Sequence, residues 1–480
     1  MSNERDLGDT TIVGGDDTLE LGADASSDPL ALVLIWSRKE PARVGELVRV
    51  PRGRDGTVFT IGRAIDPGED GSVPLSFLRL RPYASEDTGP LRAAHVSRVQ
   101  LRLRTHGPSV VEVEHVGRGT LRINGREVER ALARPRDTIE VVNRFVLQCS
   151  TRPAEWPSRP QVTEDFEFGA ADRDGIVGES PCAWELRERV AFVAERDEHA
   201  LVYGPSGAGK ELAVRAIHSR SSRGRQALVS RNASTLPEGL IDAELFGNIR
   251  NYPNPGMPAR PGLLGEASGS TLYLDEVGEL PHALQAHLLR VLDNGEYQRL
   301  GEARPRVADV RFIGATNRGL GDLKHDFLAR VTHRVRVPGL TERPDDLPLL
   351  ARHLLRVSDD ATRRAALRFV VDGQPAFSPH LITALARHRF RGHVRELETL
   401  LWSAIEASAA EYIDVPPALL GPARRPAPTP VPLIDPGQLS RAQVVDVMRR
   451  YNGVKERVWR ELGLRNRYQL KRLLRKLDLE

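Results

Sequence analysis

The sequence predicts a multidomain protein in which an all-β sandwich comes first, an α/β domain with an added helical unit follows, and a small all-α unit ends the chain. Three observations support this fold class. Alternating polar and apolar runs such as VQLRLR and VVEVEHV fill residues 30–150 and have the period of half-buried strands. Strand-like and helix-like segments alternate over residues 175–342, which is typical of a parallel sheet with crossover helices. Residues 343–421 and 437–480 show helical patterns only.

Changes in composition place the boundaries between these units. The N-terminal segment is rich in Gly, Asp and Ser, has too little apolar surface to pack, and is predicted to be a disordered tail. Pro153, Pro157 and Pro160 mark one linker, and the stretch PARRPAPTPVP marks a second, extended one. The predicted division is an acidic tail 1–29, a β-sandwich 30–150, a linker 151–174, an α/β subdomain 175–342, a helical lid 343–421, a Pro-rich linker 422–436 and a helical domain 437–480.

Composition limits the classes of protein to consider. Of the 480 residues, 40% are hydrophobic and 28% are charged, which excludes a wholly disordered or collagen-like chain. The two cysteines, Cys149 and Cys182, allow at most one disulfide and exclude a zinc cluster of four thiolates. The longest apolar run, near Leu30 to Trp36, is shorter than the roughly 20 residues of a membrane helix. Because the acidic N-terminus also lacks an apolar signal core, we expect a soluble cytoplasmic protein with no membrane partner.

Charge is distributed unevenly along the chain. Residues 1–29 carry eight acidic side chains against one arginine, whereas residues 437–480 carry twelve Lys or Arg against five Asp or Glu. An acidic tail and a basic end on one chain indicate regulation at one end and nucleic-acid binding at the other.

The sharpest motif is a glycine-rich turn between the apolar strand Leu201–Tyr203 and a helical segment. Backbone N–H groups of such a turn close around phosphate oxygens, and the N-terminus of the following helix favours their negative charge. The spacing G-x4-G-K lets Lys210 reach the β- and γ-phosphates of a nucleotide. The predicted nucleotide-binding residues are Gly204, Pro205, Ser206, Gly207, Ala208, Gly209, Lys210 and Glu211, the last standing where many such loops have Ser or Thr.

Two further strand-like segments end in polar residues. Thr271–Asp275 is followed by Glu276, and Val310–Thr316 is followed by Asn317. Downstream of a phosphate-binding loop, Asp275 is predicted to bind Mg²⁺ and Glu276 to polarise the attacking water. Asn317 would orient that water beside the γ-phosphate. The sequence therefore predicts an ATPase whose cofactors are ATP and Mg²⁺.

The C-terminal segment is predicted to form three helices, Ser440–Tyr451, Lys455–Leu462 and Asn466–Leu477, with Gly463 at the tight turn of a helix-turn-helix. The last helix carries basic residues opposite a leucine stripe, which suits a helix lying in the major groove of DNA. A solvated basic helix is the alternative interpretation. The predicted DNA-binding residues are Arg465, Arg467, Tyr468, Lys471 and Arg472.

Five stretches, GPSGAGKE, NASTLPEGLIDAELFG, TLYLDEV, VRFIGATNRGL and GHVRELE, resemble in order and spacing the AAA+ domain of sigma-54-dependent transcription activators. The resemblance implies an ATP-hydrolysing homo-oligomeric ring, usually a hexamer, that binds upstream DNA and acts on the sigma-54 holoenzyme of RNA polymerase. It also implies that Asn232 holds the Walker B glutamate between turnovers. By the same resemblance Arg395 is a lid arginine that reaches the γ-phosphate, and Arg334 lies at the subunit interface.

The loop that touches sigma-54 in that family departs from the family pattern here. The family tip is Gly-Ala-Phe-Thr-Gly-Ala, whereas the six aligned residues are Asn251–Gly256, which contain no threonine. Pro253 and Pro255 fix φ and remove two backbone donors, although Tyr252 supplies an aromatic side chain. We expect ATPase activity and DNA binding to persist while sigma-54 open-complex formation is weak or absent. The alternative function is therefore a DNA-binding regulator or repressor whose AAA+ domain no longer remodels that holoenzyme.

The two ends of the chain resemble other known modules. The C-terminal helices are similar to the Fis-type DNA-binding domain that ends this family, and the N-terminal sandwich resembles a forkhead-associated (FHA) domain, which binds phosphothreonine peptides. IGR at residues 61–63, HVSR at residues 95–98, and GRGT followed by ING at residues 117–125 carry the FHA resemblance. The implied phosphopeptide-binding residues are Arg63, Ser97, Arg98, Arg118 and Asn124. Gln100 replaces the usual histidine, and Arg118 stands where asparagine is expected.

An FHA module in place of a receiver domain implies that a phosphopeptide gates the ATPase. The ligand would be a phosphothreonine protein or the chain's own tail, where Thr10, Thr11 and Thr18 lie among acidic residues. A tethered ligand gains effective concentration, on the order of millimolar for a short linker. The alternative is an FHA-like scaffold that no longer binds phosphate.

Overall fold

The structure is a computed structural model. It describes residues 28–52, 56–82, 84–154, 156, 166–235, 240–358, 360–371, 373–419, 439–450, 455, 458–459, 462, 464, 467–477 and 479. Most of the predicted acidic tail, the Pro-rich linker and Arg465 therefore lie outside the described residues. Within the described ranges, no helix combines the length and the apolar character that crossing a membrane requires.

The N-terminal third folds as a β-sandwich of two sheets. Its strands are β1 Leu30–Ser37, β2 Leu47–Arg49, β3 Phe59–Ile61, β4 Val73–Pro74, β5 Phe77–Arg81, β6 Ala84–Gly89, β7 Leu101–Thr105, β8 Val111–His115, β9 Leu121–Ile123, β10 Arg126–Glu127, β11 Arg130–Ala133, β12 Thr138–Val141 and β13 Phe145–Thr151. The larger sheet has the order β10-β9-β12-β13-β1-β2-β5-β6, and the smaller has the order β11-β8-β7-β3-β4. In β7 the leucines face the core and the arginines face outward, as the alternation predicted.

Strand β1 is buried on both faces. Its even-numbered residues Leu30, Leu32 and Leu34 lie in the core between the two sheets. Its odd-numbered residues lie in a second apolar core, which is shared with helices of the lid. A strand buried on both sides has no polar alternation, which explains the continuous run LALVLIW.

The central region folds around a parallel sheet. Its elements are α1 Pro181–Ala194, β14 Ala200–Tyr203, α2 Lys210–Arg220, β15 Val229–Asn232, α3 Ile241–Phe246, α4 Gly262–Glu266, β16 Thr271–Asp275, α5 His282–Asn294, β17 Glu296–Tyr297, β18 Arg306–Val307, β19 Arg311–Thr316, α6 His325–Arg330 and β20 His333–Arg336. The sheet order is β15-β16-β19-β14-β20, and every neighbouring pair is parallel. The loops after β14, β16 and β19 therefore open at the same edge, where ligands bind in open α/β sheets.

The lid consists of helices and one short hairpin. Its elements are α7 Leu347–Val357, α8 Asp360–Leu367, β21 Val370–Val371, β22 Gln374–Pro375, α9 Pro379–Arg387 and α10 His393–Ala407. The expectation of helices alone was wrong at β21 and β22, which pair in antiparallel register. Gly373 has φ +71° and provides the tight turn, while β-branched valines favour the extended backbone before it.

Two helices are described in full at the C-terminus, α11 Arg441–Arg450 and α12 Arg467–Lys476, with helical backbone also at Lys455 and Val458–Trp459. A separate small core joins them. Its buried members are Leu439, Val444, Val458, Leu462, Leu464, Leu470, Leu473 and Leu474. Leucines 470, 473 and 474 come from one face of α12, as the helical periodicity predicted.

The sandwich packs directly onto the lid. Trp36 of β1 is 7% exposed, and its Nε1 donates a hydrogen bond to the carbonyl oxygen of Phe377 at 2.7 Å. Arg152, just after β13, forms a buried ion pair with Asp345 at the start of the lid. Leu347 and other buried apolar residues of the lid lie in one continuous core with the outer face of β1. These contacts join two parts of the chain that the sequence showed only as separate units.

Candidate functional site: a nucleotide-binding edge and two basic surfaces

The glycine-rich turn wraps from β14 into α2 with a backbone that requires glycine. Gly207 has φ +76° and Gly209 has φ +103°, both in the left-handed region. A Cβ on Gly207 would lie 2.2 Å from the carbonyl oxygen of Gly392, because the start of α10 packs against the turn. The turn is therefore shaped jointly by its own sequence and by the lid.

Lys210 lies at the centre of this edge. It is 7% exposed, and its Nζ donates to the carbonyl oxygens of Gly204 at 3.2 Å and Pro205 at 3.4 Å. The Nζ also lies 3.9 Å from Oε1 of Glu276. These long contacts hold the ammonium over the turn, where phosphate oxygens would make shorter, charge-assisted bonds to it.

The other predicted residues of the turn have different surroundings. Ser206 and Glu211 are exposed, whereas Ala208 is buried against α2 and the sheet. The carboxylate of Glu211 pairs with Arg215 one turn along the helix, at 2.7 Å. Glu211 is therefore directed along α2 by this ion pair.

Asp275 ends β16, and Glu276 follows it with a carboxylate oxygen 3.9 Å from Lys210 Nζ. Glu276 has φ +52°, and its Oε2 accepts a hydrogen bond from the backbone N–H of Asn317 at 3.1 Å. Oδ1 of Asp275 accepts from the backbone N–H of Glu276 at 3.0 Å. Mg²⁺ is commonly held by one or two carboxylates together with substrate phosphates, so Asp275, next to Glu276 at the end of β16, fits such an ion. The described residues hold no cluster of three or more His, Cys, Asp or Glu side chains that would bind a metal without phosphates.

Asn232 ends β15 in register with Asp275. Its Oδ1 accepts hydrogen bonds from the backbone N–H and the hydroxyl of Ser234, at 2.9 and 2.7 Å. The Glu276 carboxylate is held instead by Asn317. The structure thus places Asn232 beside the carboxylate strand, with its side-chain oxygen used by a local turn.

The start of α10 brings the lid to the nucleotide edge. The N–H of Val394 donates to the carbonyl oxygen of Gly207 at 3.0 Å. Arg395 follows with an exposed side chain, and its Cβ lies 3.3 Å from the position of a Cβ on Gly207. His393 fixes this junction, because its Nδ1 accepts from the N–H of Leu340 at 3.1 Å. Burial lowers the pKa of His393, which keeps the ring neutral and able to accept that bond.

Arg334 lies on the edge strand β20, away from the turn. Its side chain is exposed, and its Nη2 donates to the carbonyl oxygen of Leu328 at 3.4 Å. Arg330, nearby in sequence, pairs with Asp293 at 2.8 Å. Arg334 is therefore placed on the outer surface of the domain.

The loop Asn251–Gly256 between α3 and α4 is tied down by its own backbone and by Asn248. The N–H of Asn251 donates to Met257 at 2.9 Å, and the N–H of Gly256 donates to Oδ1 of Asn251 at 3.0 Å. The amide of buried Asn248 donates to three carbonyl oxygens of this segment, including that of Tyr252 at 3.2 Å. The sequence had not singled out Asn248, since an isolated asparagine has no pattern.

One end of the sandwich gathers four of the five predicted phosphopeptide-binding residues. Arg63 Nε donates to the carbonyl oxygen of Val96 at 2.6 Å, and the Ser97 hydroxyl accepts from the N–H of Arg118 at 3.0 Å. Arg63, Arg98 and Arg118 have exposed side chains on three neighbouring loops. This arrangement offers guanidinium and hydroxyl groups to an anion.

Asn124 does not join this group. It is buried in the turn between β9 and β10, where its Oδ1 accepts from the N–H of Thr138 at 3.0 Å and its Nδ2 donates to Asp137 at 2.7 Å. Both the oxygen and the nitrogen of the side-chain amide are therefore hydrogen-bonded within the sandwich. The structure gives Asn124 a supporting position rather than a ligand-facing one.

Gln100 and Arg144 organise the loops, and neither was predicted to do so. Gln100, which replaces the usual histidine, accepts from the N–H of Ser97 at 3.0 Å and donates to the Arg118 carbonyl oxygen at 2.9 Å. Arg144 Nε donates to the carbonyl oxygen of His95 at 2.6 Å. The asparagine–arginine turn that carries Arg144 has no distinctive motif, so only its position in the fold identifies it.

The basic face of α12 lies in solvent. Tyr468 is 68% exposed, and Lys471 and Arg472 are also exposed. The side chain of Arg467 lies outside the described residues, as does Arg465. The leucines opposite them are buried, so the helix presents the cationic surface that the sequence predicted.

Comparison with known proteins defines the class to which this arrangement belongs. Residues 176–339 match the family model of the Sigma-54 interaction domain. The chain belongs to the family of sigma-54-dependent transcriptional regulators, which confirms the family inferred from the motifs. Interaction with sigma-54 RNA polymerase and regulation of transcription are properties of that family.

Individual relatives are similar over different lengths. The chain is 33% identical over 321 residues to the transcriptional regulatory protein ZraR of Escherichia coli K12, covering 64% of this chain and 69% of that protein. It is 41% identical over 240 residues to the nitric oxide reductase transcription regulator NorR1 of Cupriavidus necator, covering 48% of this chain and 45% of that protein. The crystal structure of NtrX from Brucella abortus in complex with ADP shares 27% identity at a TM-score of 0.45, covering 64% of this chain and 69% of that one.

Proposed function

We propose that the protein is an ATP-hydrolysing, DNA-binding transcription regulator whose ATPase acts as a homo-oligomeric ring and is gated by a phosphopeptide at the FHA-like sandwich. The observation that carries this proposal is the convergence of Lys210, Asp275 and Glu276 at one edge of a parallel sheet. The lid brings Arg395 to the same edge. No other cluster in the described residues combines a phosphate-binding turn with two carboxylates.

Each of these residues has a distinct chemical task in the proposed reaction. The Lys210 ammonium offsets charge on the β- and γ-phosphates of ATP. Asp275 would hold Mg²⁺, which neutralises phosphate charge when bound. Glu276, held in place by the Asn317 backbone, polarises the attacking water. Arg395 would reach the γ-phosphate from the lid.

Two arrangements in the family pattern require movement or a second subunit. Arg334 would complete the site of a neighbouring copy, because it is exposed on the edge strand β20. Asn232 would contact Glu276 after releasing Ser234, whose hydrogen bonds it now accepts. Both roles remain predictions from the family resemblance.

The ATPase proposal is tested by Lys210→Ala in the full chain. Loss of the ammonium is expected to abolish ATP binding or hydrolysis, because Lys210 Nζ lies against the carbonyl oxygens of the turn. Arg215→Ala, on the same helix and 63% exposed, is the matched control and is expected to keep normal turnover. Normal turnover by Lys210→Ala would overturn the assignment.

DNA binding is proposed for the cationic face of α12. Arg467→Ala and Arg472→Ala are expected to weaken binding, and a contact to a base edge would cost about 1–3 kcal/mol and relax specificity at that position. Arg441→Ala on α11 removes one exposed cation outside α12 and serves as the control. An unchanged gel shift for the Arg467→Ala, Arg472→Ala double variant would show that α12 is not the recognition helix.

The alternative function, a DNA-binding regulator or repressor that does not remodel sigma-54 holoenzyme, is favoured by the tied-down loop Asn251–Gly256. Its backbone and Asn248 are hydrogen-bonded within the loop, which leaves little freedom to swing during a hydrolysis cycle. We expect ATP-dependent open-complex formation on a sigma-54 promoter with this protein's own sites to be weak or absent. A chain in which Gly-Ala-Phe-Thr-Gly-Ala replaces Asn251–Gly256 is expected to gain it. Robust, hydrolysis-dependent opening by the natural chain would exclude the alternative.

A further inference from the structure

The end of the sandwich that carries the loops of Arg63, Arg98 and Arg118 also carries a fourth arginine, Arg144, which was not among the predicted ligand residues. Within the described part of the chain, no carboxylate pairs with the guanidinium group of Arg63, Arg98, Arg118 or Arg144. Elsewhere in the sandwich, Arg104 of β7 pairs with Glu112 and Glu114. Unpaired arginines on adjacent loops create a positive potential that attracts anions.

Arg144 is built into this end of the sandwich. Its Nε donates to the carbonyl oxygen of His95, while Arg63 Nε donates to the next carbonyl oxygen, that of Val96. The two guanidinium groups therefore hold one loop at consecutive residues. Arg144 and Arg63 come from opposite sheets, so only the folded sandwich brings them together.

The Nη1 of Arg144 lies against the turn that carries Arg118. A Cβ on Gly119 would lie 1.9 Å from this nitrogen, so a larger residue would displace the Arg144 side chain. Gly119 also has φ +103°, a conformation that other residues rarely adopt. The Arg144 guanidinium thus lies beside the Arg118 loop, within the same basic surface.

The carboxylate of Glu40 is held by other partners. The negative charge of Glu40 acts to raise the pKa of His95. The same carboxylate pairs with Arg43 at 3.1 Å and accepts hydrogen bonds from the backbone N–H groups of Arg92 and Ala93. Burial and the nearby charge of Arg144 lower the pKa of both His95 and His115, in keeping with an excess of positive charge.

We propose that Arg144 and Arg118 form a second anion subsite, which binds a second negatively charged group of a phosphopeptide held at Arg63 and Ser97. The site would therefore select a phosphothreonine peptide that carries neighbouring carboxylates or a second phosphate over one with neutral flanks. This inference rests on the proposed phosphopeptide-binding function and names the ligand class of the same site.

The chain's own tail provides a suitable probe. Thr18 is flanked by Asp16, Asp17 and Glu20. The first peptide spans residues 12–24 with phosphothreonine at position 18. The second has the same phosphothreonine and the substitutions Asp16→Asn, Asp17→Asn and Glu20→Gln, and so keeps length and phosphate while losing the three acidic charges closest to the phosphothreonine.

Binding of both labelled peptides is measured by fluorescence anisotropy with the full-length, unphosphorylated chain. The natural chain is expected to prefer the acidic peptide, by about three- to tenfold at low salt, and less at high salt. Arg144→Gln is expected to remove this preference by weakening the acidic peptide while leaving the neutral one unchanged. Arg126→Gln, in the β9–β10 hairpin beside the lid, is the charge-matched control and should keep it.

The outcomes separate the inference from the function on which it rests. Arg63→Ala should remove binding of both peptides, and if it changes neither, the phosphopeptide function itself fails. If Arg63→Ala removes binding but Arg144→Gln weakens both peptides equally, Arg144 only positions the loop and the second subsite does not exist. If the natural chain binds both peptides equally, the proposal is also overturned.

Discussion

The interface between the sandwich and the lid makes a quantitative prediction at Trp36. The indole is almost fully buried between β1 and the lid, and its N–H is bonded to the Phe377 carbonyl oxygen at 2.7 Å. Trp36→Phe keeps an aromatic ring but leaves that carbonyl without its donor, at a cost of about 1–3 kcal/mol. Trp36→Ala also opens a cavity in the shared core and should cost about 3–5 kcal/mol.

Hydrogen exchange of the lid amides measures the loss of stability in the Trp36 variants at the lid itself. A local measurement is needed because a multidomain chain has no single free energy of unfolding. In the two Trp36 variants, the opening free energy of α9 and α10 should fall by the amounts above. Phe59→Leu perturbs only the core between the two sheets and should leave lid exchange unchanged. If Trp36→Ala loosens the sandwich while lid protection stays at its natural value, the two units do not share a core in solution.

Three further predictions concern buried or reacting charges. Arg152→Ala should destabilise the junction by about 3–5 kcal/mol in denaturant unfolding, because it leaves Asp345 buried without its partner, and an unchanged midpoint would contradict the pair. Burial raises the pKa of Asp346 from 3.8 to about 6, so between these values the folded chain binds a proton that the unfolded chain does not. The stability due to this group should therefore decline as the pH rises from about 4 to 6, and Asp346→Asn should flatten that part of the pH profile. Glu276→Gln should keep ATP binding, since its amide oxygen can still accept from Asn317, while hydrolysis falls by roughly 10²–10⁴-fold in a phosphate-release assay.

Local chemistry in the sequence was enough to locate the nucleotide edge. Gly207 and Gly209 adopt positive φ, which the glycine-rich turn required. Asp275 and Glu276 end a buried strand, and in a parallel sheet such ends meet at one edge. The position of Arg395 at the turn followed from family resemblance alone, because no local pattern brings a lid helix to a loop nearly 190 residues earlier in the chain.

Asn124 shows where the sequence pattern was insufficient at the other end of the chain. The Asn-Gly segment resembled a ligand loop, yet the asparagine amide is used by Thr138 and Asp137. Arg144 is the opposite case, since it lies in a turn without a distinctive motif and yet donates to the carbonyl oxygen of His95, 49 residues earlier in the chain. In both cases the hydrogen-bond partners define the position of the side chain, and those partners lie at least 13 residues away in the sequence.

The sequence by itself determined the order of the domains, the phosphate-binding turn, the carboxylates and the basic helix, because each depends on residues a few positions apart. Only the tertiary structure decided that β1 has two buried faces, one inside the sandwich and one against the lid. The apolar run LALVLIW predicts a strand in either case. Which surface covers its second face depends on side chains some 300 residues away, such as Leu347 and Leu381, and no local pattern encodes that contact.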